Sequence, residues 1–121
     1  MKRMSKKEWE KAKRICELYR IPLKITTIQD LLEHERRKHP DWNEETLKRR
    51  AKSLYYSPYG YVEFTFSRPT LYLTPYASWG TFLHELGHAV EEAEEGEAFT
   101  IGRELAKRAM KVINKVIGAS G

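Results

Sequence analysis

The chain has 121 residues, 40% hydrophobic and 32% charged, with a formal net charge of +5. That length holds one core and no second domain, no apolar run approaches the roughly 18 residues of a membrane-spanning helix, and the single Cys16 rules out an intramolecular disulfide. Met1 to Arg14 is charged throughout and carries no signal-peptide pattern, so the expectation is a cytoplasmic protein with no membrane association.

Ser5-Lys6-Lys7-Glu8 reads as a capping box. Behind it Trp9, Ala12, Ile15, Cys16 and Tyr19 recur at spacings of three and four, which predicts a helix to about Arg20, ended by Pro22. Cys16 on that stripe is a core thiol rather than a nucleophile. Leu23 to Thr26 alternates as a short strand that would pair with a later sheet. Thr27 caps a helix over 28–38 with Ile28, Leu31 and Leu32 inward, and His39-Pro40-Asp41 breaks it. Asp41 or Asn43 caps a third helix to about Leu54, with Trp42, Leu47 and Ala51 apolar, completing a helical N-terminal part over 1–54. His34, in a charged run, and His39, beside a proline, read as surface residues.

Residues 1–54 hold 16 Lys and Arg against 9 Asp and Glu, residues 55–97 hold 1 against 7, and residues 98–121 hold 5 against 1. The basic ends carry both signs in alternation, the pattern of solvated helix faces rather than of a nucleic-acid footprint.

Tyr55-Tyr56-Ser57-Pro58-Tyr59-Gly60-Tyr61 marks a loop. Tyr61 to Phe66 and Thr70 to Thr74 each alternate, with Ser67-Arg68-Pro69 as the turn, so a pair of neighbouring strands is expected over 61–74. Pro75 ends the sheet, and a helix over 76–94 follows. Gly96 is the expected point of chain reversal. A last helix over 97–117 would pack Phe99, Ile101, Leu105, Ala109, Val112, Ile113 and Val116 behind its predecessor, and 118–121 reads as a tail.

Within the helix over 76–94 lies Thr81-Phe82-Leu83-His84-Glu85-Leu86-Gly87-His88-Ala89-Val90. Four residues make just over one helical turn, so His84 and His88 share a face and can point ring nitrogens at one ion. Glu85 is rotated about 100° away, which suits a general base better than a third ligand. No Lys or Arg occurs between Ser78 and Val90, as expected of a helix buried behind a metal site rather than a wet helix bearing two histidines.

His84-Glu85-Leu86-Gly87-His88 together with the downstream Glu97-Ala98-Phe99 resembles the zincin metallopeptidases of the gluzincin type, and most of all the single-domain minigluzincins. The resemblance spans about Tyr61 to Leu105. Metzincins would need a glycine and a third histidine where Glu91 and Glu94 stand, and gluzincins with Glu-Ala-Asn differ at Phe99. The implied fold is a small α+β zincin-like domain: N-terminal helices, a small sheet, a metal helix and a C-terminal helix bearing a glutamate ligand. The implied cofactor is Zn²⁺.

His84, His88 and Glu92 span roughly 12 Å along one helix and cannot all bond one ion, so the third ligand lies beyond a turn. Glu97 is favoured, Glu95 and Glu104 stay open, and Glu91, Glu92 and Glu94 read as a solvated acidic face. The resemblance implies peptide hydrolysis, with Glu85 taking a proton from water activated at the metal and an extended peptide or unstructured protein pairing with a strand before the metal helix. It also implies an oxyanion donor, for which the tyrosines of 55–61 are candidates without one being singled out. The alternative is a non-catalytic or regulatory zinc-binding module, with nucleic acid bound through the basic helices. Latency is a third state, with a terminal segment of the same or a self-associated chain lying in the cleft.

Overall fold

The computed structural model describes the backbone of residues 2–120 and the side chains of residues 2–116. In chain order the elements are α1 (Lys6–Leu18), β1 (Leu23–Ile25), α2 (Ile28–Lys38), α3 (Glu44–Tyr55), β2 (Gly60–Thr65), β3 (Arg68–Leu73), α4 (Trp79–Glu91) and α5 (Ala98–Ser120). Four helices start on a side chain that accepts a first-turn N–H: Ser5 from Glu8, Thr27 from Asp30, Asn43 from Thr46 and Ser78 from Thr81. Each such cap stabilises its helix by about 1 kcal/mol.

The sheet has the order β1-β3-β2, with β1 parallel and β2 antiparallel to β3. The N–H of Leu71 donates to Pro22 O and the N–H of Thr26 to Leu73 O, so Leu71 and Leu73 turn their backbone groups toward β1. Their partners across the other edge, Val62 and Gly60, therefore turn theirs away from β3, and β2 presents a free backbone edge. The hairpin turns at Phe66-Ser67, both left-handed (φ 51° and 66°), rather than at Ser67-Arg68-Pro69. Pro69 lies within β3 opposite Phe64, a position whose missing N–H would point away from β2.

Alternation along the strands loads the two faces differently. Leu71, Leu73 and Val62 face α1, α4 and α5, where Ile15, Cys16, Phe82, Leu86 and Leu105 form the larger core. Tyr61 and Tyr72 face α2 and α3, against Leu31, Leu47 and Leu54. A fully buried side chain of this size contributes roughly 1.5–3 kcal/mol. The result is a small α+β domain with helices on both faces of its sheet.

Residues α4 and α5 hold in closest approach are small. A Cβ on Gly87 would stand 2.1 Å from Ala98 O, and one on Gly102 would stand 1.7 Å from Leu83 O. The inward stripe of α5 is accordingly Ala98, Gly102, Leu105, Ala106 and Ala109. Phe99, Val112 and Val116, expected behind α4, are exposed instead: Phe99 is turned to one side of that stripe, while Val112 and Val116 continue it past Ala109, the last buried residue of α5 among those described. The expected tail at 118–121 is helical to Ser120, and Gly121 lies outside the described residues.

Candidate functional site

Helix α4 is wedged between the sheet and α5, with Phe82, Leu83, Leu86 and Ala89 buried around it. Its start is fixed by the reciprocal Ser78–Thr81 box, and Thr81 Oγ1 also donates to Pro58 O (3.5 Å), tying the first turn to the approach to β2. It runs over Trp79–Glu91 rather than the expected 76–94, and the chain reverses at Glu92, not Gly96: Glu92 is left-handed (φ 49°), and its N–H returns to His88 O at 3.1 Å. Non-glycine residues rarely occupy that region, and here the returning hydrogen bond closes the last turn.

That early reversal brings the connection over 92–97 back across the histidine face. His84 Nε2 and His88 Nε2 lie 3.0 Å apart, and the Glu95 carboxylate reaches both, at 3.3 Å from His84 and 2.8 Å from His88. His88 Nδ1 lies 2.7 Å from Ala93 O; a carbonyl only accepts, so Nδ1 is the donor there and Nε2 is the nitrogen turned toward the site. His84, Glu85 and His88 each offer a ligand atom within 4.8 Å of the others, a grouping able to hold a metal ion.

Glu85 is 6% exposed. Burial, then the charge of Glu95, pushes its pKa up to about 8. Its side chain has room because residue 60 is glycine: a Cβ there would stand 2.9 Å from Glu85 Cγ and 2.6 Å from Leu73 Cδ2.

These groups open onto a cleft of about 980 Å³. Its floor is α4, its far side the free edge of β2 with Gly60, Val62 and Phe64, and its upper wall His34 and Lys38 of α2. Tyr59 lines it too, with a pKa raised to about 12 by burial first and then by the charges of Glu35 and Glu85, so its hydroxyl stays a donor.

The chain matches no known family model, no curated protein and no solved structure.

Among the residues singled out from sequence, His84, Glu85 and His88 come together with Glu95. Glu97 does not join them: it is exposed on the far side of the connection and lines a separate pocket with Glu91, Glu94 and Glu104. The difference follows from the reversal at Glu92, which carries residue 95 and not 97 over the histidines. His34 is no wet surface residue. It stacks on Tyr61 with centroids 4.1 Å apart, and its Nδ1 is 3.4 Å from Glu63. Two contributors escaped sequence reading, the Ala93 carbonyl and the space left by Gly60. A backbone oxygen has no sequence signature, but a glycine entering a strand after a Tyr-rich loop is a sign of close approach.

Proposed function

We propose that this protein is a zinc-dependent peptidase of zincin type, cleaving extended or unstructured polypeptide. The observation that carries the reading is the convergence of the His84 and His88 Nε2 atoms, 3.0 Å apart, beside a buried Glu85 in an open cleft. The donor set fits zinc: two imidazoles, one with its outer nitrogen anchored on a carbonyl, and a carboxylate touching both. His84 and His88 would hold the ion, with Glu95 as third ligand in preference to Glu97. Such a set leaves a coordination position open, as catalytic rather than structural zinc requires. Zinc, when bound, supplies Lewis acidity that lowers the pKa of water and polarises a carbonyl.

The chain's own residues supply the rest. Glu85, buried beside the two histidines and facing the cleft, takes the proton of the attacking water and returns it to the departing amine. The outward backbone groups of Gly60, Val62 and Phe64 pair with the peptide main chain and hold it extended along β2. Main-chain pairing reads no side chain, so cleavage is broad in sequence.

The test is hydrolysis of an unstructured protein by wild type and by Glu85→Gln, with and without a chelator. Chelator-sensitive cleavage by wild type, absent in a Glu85→Gln protein that still binds zinc, is the expected result. Zinc-dependent cleavage that survives Glu85→Gln removes Glu85 as the base.

A further inference from the structure

Helix α5 borders a second groove, of about 610 Å³, that runs between α1, the start of α4 and α5 itself. Its floor is apolar: Trp79 and Leu83 from α4, with Phe99, Ala106 and Met110 from α5. Its rim is basic: Lys11 from α1 faces Arg103, Lys107 and Lys111, which recur every four residues along α5. Among the described residues lining it, Glu8 is the one carboxylate, and its Oε1 already accepts the Ser5 N–H at 3.0 Å. Lys107 also meets Glu104 at 3.6 Å, and Lys11 stands 5.7 Å from the centre of the Trp79 ring. The balance along the rim remains cationic. From Phe99 to Asn114 the groove follows α5 for roughly 22 Å at 1.5 Å per residue, about four helical turns.

We propose that this groove docks an acidic, amphipathic segment of a partner protein, laid as a helix with apolar side chains on the floor and carboxylates along the rim. An apolar stripe rimmed by one sign of charge is the complement of such a helix, and opposite charge fixes its register. Duplex nucleic acid would meet the cations and leave Trp79 and Met110 uncovered. A second copy could bring its acidic run 91–97, but Ala93 is the only apolar side chain there to fill the floor. Phe99 lines both this groove and the cleft, so a docked segment ends one side chain from the histidine site. The inference does not require that site to be a peptidase.

The experiment is fluorescence anisotropy of the full chain with a labelled helical peptide of roughly 16 residues, the length that spans the groove. The probe carries Leu on one face and Glu on the other, and a second probe has Lys for every Glu. The Glu probe should bind saturably and weaken with added salt. Its affinity should fall about tenfold or more in Lys107→Glu/Lys111→Glu, two exposed positions whose reversal leaves the core intact. Equal binding of the Lys probe would overturn the proposal, as would an affinity untouched by the reversals. So would duplex DNA binding that the reversals abolish, or self-association of the free chain through this face.

Discussion

The two helical layers on either side of the sheet each bury one glutamate, and the two carboxylates have opposite surroundings. Glu35 of α2 is 0% exposed, and neither oxygen has a hydrogen-bond partner; Arg50 Nε stands 3.5 Å and His39 Nε2 3.7 Å away, near enough for an ion pair but poorly placed to hydrogen-bond. Glu85 of α4 is almost as buried, yet it faces the cleft beside two imidazole nitrogens. Burial alone therefore does not mark a site. What separates Glu85 is open space in front of it and other donors converging on the same point.

The sharpest way to break that contrast is to make the same exchange on both sides. Glu85→Gln should lower kcat/KM for an unstructured protein by about 10²–10⁴-fold, the usual worth of a positioned base, with the unfolding midpoint little changed. Glu35→Gln should do the reverse, moving the midpoint and leaving turnover within about twofold. Equal losses of activity would erase the distinction between the two carboxylates.

Stability separates the layers next. Gly102→Ala drives a Cβ into Leu83 O at the α4–α5 contact and should cost about 3 kcal/mol or more in denaturant unfolding, because backbone and not a flexible side chain must yield. Arg50→Ala strips Glu35 of a cation that is half exposed, and should cost about 1 kcal/mol. The smallest effect is on pH. Burial, the dominant cause, lowers the His34 pKa below its usual value despite the nearby Glu63 carboxylate. The folded chain then binds fewer protons than the unfolded one as pH falls through about 6.5, so this contribution is intact above that pH and is lost below it. Denaturation at pH 7.5 and 5.5 should show a larger loss for wild type than for His34→Asn.

Much of this architecture was legible in residue order, and the failures share a cause. The Ser5–Glu8 capping box, the Thr27 cap and apolar spacing placed α1 and α2 closely, since these signals are local. His84 and His88 were legible because helical spacing alone makes them neighbours. That Glu95 rather than Glu97 lies beside the histidines was not, because it depends on where the chain reverses, and Glu92 rather than Gly96 takes the left-handed conformation. The exposure of Phe99, Val112 and Val116 was likewise hidden: hydrophobicity predicts burial, whereas burial along α5 stops at Ala109 and depends on how far its neighbours reach. Nothing local to Glu35 announces that α3 covers it.

The central claim rests on the two histidines holding one zinc ion, and the direct measurement is zinc stoichiometry with chelator-competition affinity for wild type, His88→Ala, Glu95→Ala and Glu97→Ala. One equivalent in wild type, none retained by His88→Ala, and an affinity reduced about 10- to 100-fold by Glu95→Ala but unchanged by Glu97→Ala is the predicted result. A greater loss from Glu97→Ala would reassign the third ligand. Zinc bound equally by His88→Ala and wild type, or by neither, would contradict the account.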